Sequence, residues 1–352
     1  MLKEEIMEIF QVEKMQIKWL DGNGDTWDEI VNKVLYAPVY YDSYFVKYQN
    51  QYFSEVYNEY TDISFIAYNG GIPAFIMPLC IYKKNGEYFL GSEGGMIYSP
   101  LLSGNIQNEE GKRKILKKCL KILKIISNKY SVSKLQFREI IMQRGLESWE
   151  RVLLENGGKA IGNGVEAYVN LSMQPESILK KIRRTNKYSI IKGKELWDYK
   201  LVTKDNTKEE IYDAMDKFRK LHIEVAGRET RTAKTWEMQR DGIINSDDFL
   251  VMLYDKELGL IGASLYQTTN TAGMYSVAAY NRDLFDKPIA HISQWIAICH
   301  MREIGIKWYY IGRRFYESDF ENPSDKEIKI GHFKEGFATD FFMSLFISIN
   351  IN

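Results

Sequence analysis

Residues 286–340 constrain the fold of this chain more than any other segment. Apolar residues recur at helical spacing over 292–304, and Gly305 ends the predicted helix. Residues 307–311 follow at once and are rich in aromatic and β-branched side chains, which is typical of a strand. After a polar break, residues 328–337 predict a further strand segment. A helix that turns directly into a strand predicts an α/β domain.

Two stretches of the chain predict the same order of elements: helices, a three-stranded meander, a helix and a strand. In the first stretch, turns at Asn69-Gly70-Gly71 and Asn85-Gly86 separate the strands, and Thr26 is placed to cap a helix. Its predicted strands are 11–20, 63–68, 73–82, 88–91 and 135–140, and its helices are 27–35, 39–57, 109–130 and 147–156. The second stretch predicts strands at 165–171, 249–254, 260–268 and 273–279, and helices at 176–197, 208–225 and 235–244. We expect one domain at 1–165, completed by 328–352, and another at 166–327.

Charge and cysteine content exclude several classes of function. The 47 basic and 47 acidic residues cancel, so no overall field recruits nucleic acid. We expect no DNA partner, and tRNA would need a local basic patch. Cys80, Cys119 and Cys299 are far apart and in no metal-binding spacing, which favours a reducing compartment and no metal site.

The sequence does not predict a signal peptide or a membrane-spanning segment. Residues 1–15 are charged throughout, unlike a signal peptide. No apolar run approaches the ~18–20 residues that span a bilayer. We therefore expect a cytoplasmic protein without a transmembrane segment.

Two groups of arginines are candidates for binding an anion. The predicted helix at 176–197 has five cations within eight residues, and arginine binds phosphate in bidentate geometry. A solvated helix face is the alternative interpretation. Arg228 and Arg231 follow Gly227 in a predicted loop, where side chains can reach a ligand. The candidates are Arg183 and Arg184 for phosphate, and Arg228 and Arg231 for substrate.

The order helix, glycine, strand and Phe333-Lys334-Glu335-Gly336-Phe337 resembles the closing half of FemABX acyltransferases, members of the GNAT superfamily. The resemblance covers most of the chain in element order and is motif-specific over 286–337. Ala338 stands where that family often has glycine. The resemblance implies two tandem GNAT-like domains with mixed, mostly antiparallel sheets flanked by helices.

The resemblance also implies a site. In that family the lysine of the FK pair faces the acceptor cleft, so Lys334 is the implied catalytic residue and Phe333 a substrate contact. Amine attack on an ester or thioester builds negative charge on the carbonyl oxygen, which a fixed ammonium stabilises. In GNAT-like domains one strand splays from its neighbour to form the donor cleft, and the residues on or just after that strand here are the implied substrate contacts Tyr275, Tyr280 and Asn281. Arg313, just after a later strand, is a further candidate contact. An ordinary turn is the alternative interpretation of that segment.

The acyl donor stays open at this point. CoA-binding GNAT proteins follow the splayed strand with a Q/R-x-x-G-x-G/A loop, whereas residues 282–290 contain no glycine, two aspartates and Pro288. This departure disfavours CoA and is compatible with a donor of the aminoacyl-tRNA kind. We expect no resident cofactor and either aminoacyl-tRNA or acyl-CoA as donor.

The implied function is N-acyl transfer, of an aminoacyl or small acyl group, to an amino group of a cell-envelope precursor such as an amino sugar or a peptidoglycan-type peptide. The precursor would be a small molecule or lipid-linked, with the enzyme peripheral at the inner membrane face in the latter case. One alternative is an acetyl-CoA-dependent N-acetyltransferase acting on a nucleotide-activated amino sugar for surface polysaccharide. The other is a non-catalytic glycan- or peptide-binding protein.

Overall fold

The computed structural model describes residues 2–92, 95–106, 108–142 and 148–351. The chain divides into two compact units. Unit 1 comprises Met1–Val165, Ser318–Asn322 and Phe342–Asn352, and unit 2 comprises Glu166–Glu317 and Pro323–Phe341. Of the residues 328–352 expected in the first domain, 328–341 thus belong to unit 2. The expected domain boundaries otherwise stay a prediction.

The first half of the chain contains short strands between helices. The helices are α1 (Leu2–Val12), α2 (Gly24–Lys33), α3 (Ser43–Val56), α4 (Glu109–Lys129) and α5 (Ser148–Glu155). The strands are β1 (Gln16–Trp19), β2 (Asn58–Asp62), β3 (Phe65–Asn69), β4 (Ile72–Met77), β5 (Cys80–Lys84), β6 (Glu87–Leu90), β7 (Met96–Ile97), β8 (Leu101–Leu102), β9 (Lys134–Ile141) and β10 (Lys159–Asn170).

The second half has longer strands. Its helices are α6 (Pro175–Lys181), α7 (Arg184–Leu196), α8 (Lys208–Ala226), α9 (Ala233–Asn245), α10 (Ile289–Glu303) and α11 (Asp325–Glu335). Its strands are β11 (Asp198–Val202), β12 (Phe249–Asp255), β13 (Gly259–Thr268), β14 (Ala272–Tyr280), β15 (Trp308–Arg314) and β16 (Asp340–Asn350). None of these described helices is long and apolar enough to cross a membrane.

Strand pairing is mixed and mostly antiparallel, which confirms the expected fold class. In unit 1, β1-β3-β4-β8 and β2-β5-β6 form two sheets, and β9 pairs antiparallel with β16 and parallel with β7. In unit 2, the order is β11-β12-β13-β14-β15-β10. Strands β11 to β14 are antiparallel, and β15 joins β14 in parallel.

Side-chain alternation explains why unit 2 has helices on both faces of its sheet. Successive side chains of a strand point to opposite faces. In β12, Phe249, Val251 and Leu253 pack in a core shared with α7 and α10. Leu250 and Met252 pack in a second core shared with α8 and α9. The strand is apolar on both faces because both are covered.

The expected helix 176–197 is broken in the structure. Ile182 and Arg183 have extended ψ angles of 139° and 137°, so α6 ends and α7 begins there. The Arg183 amide instead donates to the Gly336 carbonyl at 2.9 Å. The apolar residues keep their helical spacing across this break, which is why the sequence predicted one helix. A hydrogen bond between residues far apart in the sequence stabilises the break.

The expected strand segment 328–337 is also wrong, because it forms α11. Ser324 and Glu327 make a reciprocal capping box at its start, a helix signal that the aromatic residues further on obscured. The expected strand 11–20 is shortened to β1, because α1 extends to Val12.

Two smaller differences concern local signals. Thr26 lies inside α2 rather than capping it, since Asn23 is the residue before the helix. Strand β11, flanked by charged and polar residues, was missed. The expected helix 147–156 corresponds to α5, and its residue 147 lies outside the described residues.

Candidate active site in unit 2

Glycines allow α11 to lie directly on its neighbours in unit 2. A Cβ at Gly331 would come within 3.0 Å of the Phe315 amide nitrogen and 3.2 Å of the Arg313 carbonyl oxygen. A Cβ at Gly336 would come within 2.4 Å of Nδ2 of Asn186 in α7. Such approaches leave no room for side chains, so both glycines hold the last turns of α11 against β15 and α7.

Ion pairs of Glu335 fix the rotation of this helix end. Its Oε1 accepts from Nη2 of Arg183 at 3.0 Å, and its Oε2 accepts from Nε of Arg314. Nη1 of Arg183 also donates to the His332 carbonyl at 3.2 Å. Partly exposed pairs contribute little stability each, but together they connect α11 to α7 and β15. The backbone of the preceding residue in the helix, Lys334, is thereby held in place.

Lys334 extends across Gly312 of β15. A Cβ at Gly312 would lie 2.5 Å from Nζ of Lys334 and 3.1 Å from its Cδ. Gly312 also has a φ of +135°, a conformation that residues with side chains rarely adopt. The Nζ atom lies 5.7 Å from the centre of the Tyr275 ring. A glycine is therefore required here for two reasons, conformation and contact.

Burial lowers the pKa of Lys334, and the negative charge of Glu166 opposes that effect. Glu166 is fully buried and accepts a hydrogen bond from the Tyr310 hydroxyl at 2.8 Å. A cation removed from water interacts strongly with nearby charge, because the local dielectric is low. This arrangement can stabilise negative charge that develops on a bound carbonyl oxygen.

Phe333 is partly buried and packs against two neighbouring rings, while its role as a substrate contact stays a prediction. Its ring meets His291 of α10 edge-on at 5.1 Å and Phe337 at 5.3 Å. Burial lowers the pKa of His291 to about 4, so the imidazole is neutral at pH 7. Its buried Nδ1 has no hydrogen-bond partner among the described residues. No local pattern in the sequence identified His291, Glu166 or Gly312, because each meets Lys334 or Phe333 only through the fold.

The structure places the remaining tyrosine and asparagine candidates differently. Tyr275 is beside Lys334, whereas Tyr280 is buried against Gly262, where a Cβ would lie 2.5 Å from the ring. Asn281 caps the 3₁₀ turn Arg282–Leu284 by accepting from the Asp283 amide at 3.0 Å. Substrate roles for Tyr280 and Asn281 stay predictions, and both residues already have structural roles.

The arginine candidates do not form one group. Arg183 binds Glu335, and Arg184 is exposed at the start of α7. The guanidinium of Arg313 is buried with its Cζ 4.6 Å from the centre of the Phe315 ring. Arg228 is exposed, and Arg231 approaches Nε2 of His222 at 3.4 Å and the Trp236 ring at 5.9 Å.

Arg228 and Arg231 lie at the connection between α8 and α9. Trp236 packs in the core under those helices, whereas Phe333 and Phe337 pack with the core on the other face of the sheet. The structure therefore does not group these two arginines with Lys334. Their role as substrate contacts stays a prediction.

The segment that follows β14 is where CoA-binding GNAT proteins present free amides. Here those amides donate locally: Leu284 to Asn281, Phe285 to Arg282, Lys287 to Leu284 and Ile289 to Lys287, at 2.8–3.3 Å. The Asp283 amide is bound by the Asn281 side chain. Amides already bonded within a turn cannot cradle a pyrophosphate in the same conformation.

Among the described residues, no group of three or more histidine, cysteine or acidic side chains is placed to hold a metal ion.

Together, the antiparallel β11–β14 meander, its parallel β14–β15 pair and the preceding tandem unit define a protein of two GNAT-like domains. Solved structures show the same fold. FemX matches with a TM-score of 0.67 at 12% identity, over 94% of this chain and 96% of that one. The C-terminal domain of a candidate lysylphosphatidylglycerol synthetase from Agrobacterium fabrum matches with a TM-score of 0.63 at 11% identity, over 94% and 92%.

A tandem GNAT protein from the clavulanic acid biosynthesis pathway matches with a TM-score of 0.52 at 8% identity, over 96% of this chain and 99% of that one. No family model and no curated protein matches the sequence. These similarities confirm the FemABX-like, tandem GNAT fold that the sequence predicted.

Proposed function

We propose that this protein is an N-acyltransferase that uses Lys334 to stabilise the oxyanion formed when an amine attacks an acyl donor. The observation that carries the proposal is the position of the Lys334 ammonium: partly buried, extended across Gly312 and next to the Tyr275 ring. A lysine kept for solubility would extend into water. This one is held by the contacts of α11.

Lys334 suits electrostatic catalysis better than proton abstraction. Its lowered pKa reflects burial, yet Glu166 favours the charged form. A protonated lysine offers three donors that can point to a developing negative charge. Removing one such group typically costs about 10²–10³ in rate. We propose Phe333 as the packing residue that fixes Lys334 from behind.

The acceptor we propose is the amino group of a cell-envelope precursor, an amino sugar or a peptidoglycan-type peptide. Support comes from the fold shared with FemX and with the candidate lysylphosphatidylglycerol synthetase. Arg184, Arg228 and Arg231 are the proposed contacts for phosphate or carboxylate groups of such a substrate. Arg183, bound to Glu335, would have to exchange partners to do so.

For the donor, we propose an aminoacyl ester such as aminoacyl-tRNA in place of acyl-CoA. The support comes from residues 283–289, where backbone amides donate hydrogen bonds to acceptors within the same turn. Asp283 and Asp286 add negative charge where a pyrophosphate would lie. The CoA-dependent alternative would need this segment to open.

The first test is a thermal-shift titration of the full chain with acetyl-CoA. A ligand at 100 times its Kd stabilises a protein by about 2.7 kcal/mol, which is readily measured. We expect no shift. A saturable shift would overturn the proposed donor and favour the acetyl-CoA-dependent N-acetyltransferase.

The second test measures transfer of labelled amino acid from tRNA to an amino-sugar nucleotide or a peptidoglycan-type peptide. We expect Lys334→Ala to slow transfer by about 10²–10³. Lys329→Ala is the matched control, since Lys329 is an exposed lysine of the same helix. Full activity of Lys334→Ala would refute the mechanism. Binding of the glycan or peptide without any transfer would favour the non-catalytic alternative.

A further inference from the structure

The exposed face of α7 combines two properties that rarely occur together on a solvated helix. Tyr188 is 67% exposed and Ile191 is 60% exposed. Lysine or arginine side chains surround them along the same helix and the end of α6. The cations are Lys180, Lys181, Arg184, Lys187, Lys192 and Lys194.

Helical geometry places the apolar pair at the centre of that face. At about 100° per residue, Tyr188 and Ile191 point within about 60° of each other, opposite the buried Ile190 and Gly193. Lys192 lies on one flank of the pair, and Lys187 and Lys194 lie on the other. Glu195, near the centre of the face, is the one acidic residue of α7.

The cations of this face are largely unpaired. Within the described ranges, Arg184, Lys192 and Lys194 make no ion pair or hydrogen bond to another side chain. Lys187 donates to the Lys180 carbonyl at 3.0 Å, and Lys181 donates to the Thr339 carbonyl at 3.1 Å and lies 4.0 Å from Oδ2 of Asp340. Lys181 is thus the one cation of this described face with a carboxylate within ion-pair distance.

Helix α4 shows what an ordinary basic helix looks like in this protein. Four of its eight cations form ion pairs: Lys112 with Glu109, Arg113 with Glu155, Lys121 with Glu13, and Lys129 with Glu5. Lys118 and Lys124 donate to backbone carbonyls, as Lys181 and Lys187 do. It exposes no large apolar side chain. The α7 face is therefore different in both charge pairing and apolar exposure.

At its C-terminal end the α7 face continues into a cavity of about 550 Å³ between α7, β11 and α10. Lys194 and Tyr199, both exposed, stand at its edge, and Tyr199 is itself 58% exposed. Apolar side chains form most of the wall: Trp197, Leu201, Ile292, Trp295 and Ile296. Asp198 and Glu303 also line it, so the cavity itself is not an anion site.

We propose that this surface, α7 with the edge of the cavity, binds the surface of an anionic lipid bilayer. A helix lies in a membrane interface when apolar side chains point outward between flanking cations. Tyrosine favours the same interfacial depth. The cations complement anionic headgroups, and Ile191 and Tyr188 enter the acyl boundary. RNA would satisfy the cations but gain nothing from an exposed isoleucine.

This inference extends the proposed function by placing the enzyme where a lipid-linked acceptor is found, but its test does not depend on catalysis. The full chain is sedimented with vesicles of equal parts phosphatidylglycerol and phosphatidylcholine, and with vesicles of phosphatidylcholine alone. We expect binding to the anionic vesicles that weakens as salt is raised. No binding to the anionic vesicles, or equal binding to both, overturns the proposal.

Paired variants locate the surface. Each lysine near an anionic bilayer strengthens binding about fivefold, so Lys192→Glu/Lys194→Glu should weaken it at least about 25-fold. The matched control is Lys114→Glu/Lys117→Glu on α4, which makes the same charge change with two exposed, unpaired lysines of the described chain. Equal losses in both double variants would show a net-charge effect and overturn the proposal.

A third variant separates lipid from nucleic acid. Tyr188→Ser/Ile191→Ser should weaken vesicle binding on the order of tenfold without changing charge. Because these two side chains are exposed, the thermal unfolding temperature of the variant should be unchanged. The same measurement shows whether the variant is folded. Unaltered vesicle binding of this variant, with tRNA binding lost in Lys192→Glu/Lys194→Glu, would assign the surface to RNA and overturn the proposal.

Discussion

Gly312→Ala tests whether the Lys334 side chain has one defined position. A non-glycine residue at φ +135° costs about 1–3 kcal/mol of backbone strain. The new Cβ would also lie 2.5 Å from Nζ and 3.1 Å from Cδ of Lys334, which forces the lysine aside. Overpacking of this kind adds about 1–2 kcal/mol. We expect the free energy of unfolding to fall by about 2–5 kcal/mol.

A double-mutant cycle separates the two costs. In a Lys334→Ala background the clash is gone, so Gly312→Ala should cost about 1–2 kcal/mol less than in the wild type. Urea unfolding of the four proteins measures this coupling. Gly259→Ala is the control, because Gly259 has a φ of +72° but no atom within 4 Å of its Cβ position. It should show strain and no coupling to Lys334.

The same cycle has a kinetic form. Displacing a catalytic group by about 1 Å can cost about 10²-fold in rate, so Gly312→Ala should slow transfer in the wild type and have no further effect on Lys334→Ala. Costs that add within about 0.5 kcal/mol would mean that the two residues do not constrain each other. That result would refute the described site.

Three further predictions concern titration and reactivity. Because the folded-state pKa of His291 is about 4 against 6.5 unfolded, the unfolded state binds the extra proton between those values, and stability should fall as pH drops from 6.5 to 4. His291→Gln should remove about 2 kcal/mol of that loss after allowance for partial exposure; an unchanged pH profile would contradict it. Asp42 behaves oppositely, since burial raises its pKa from 3.8 to about 6 and stability is lost as pH rises through that range. Asp42→Asn keeps the cap on Phe45 and should stabilise the fold at pH 7 by about 2 kcal/mol in chemical unfolding, whereas destabilisation would show that the charge is needed. Thiol titration of the native chain should find Cys299 the fastest-reacting cysteine, because it is partly exposed whereas Cys80 and Cys119 are buried; burial raises the pKa of all three thiols, so exposure decides the difference. Cys299→Ser should react only after denaturation, and a fast second thiol would contradict the packing.

The strands of unit 2 could be predicted because their signal is local. Residues 249–254 are a continuous apolar run and residues 260–268 a mostly apolar one, both bounded by turn residues, and they correspond to β12 and β13. Such runs are typical of strands covered on both faces. The order of elements sufficed for the fold class, since consecutive strands of a meander pair with each other.

The site was only partly predictable. The sequence singled out the Phe333-Lys334 pair although the segment that contains it was wrongly expected to be a strand. The role of this pair stays a prediction. The position of Lys334 depends on the ion pair between Arg183 and Glu335, which are 152 residues apart in the sequence. It also depends on Gly312, which meets Lys334 only through packing. No window of the sequence contains these contacts.

The course of β16 has a consequence for synthesis of the chain. Its residues Met343–Asn350 pair with Ile141–Lys134 of β9, so this strand of unit 1 is translated about 200 residues after its partner. At about 5–20 residues per second, β9 waits on the order of 10–40 s with one side unpaired. Unit 1 begins first yet is completed last, and during that interval β9 is exposed to aggregation or chaperones. A stop codon before residue 342 would therefore damage the unit encoded at the opposite end of the gene.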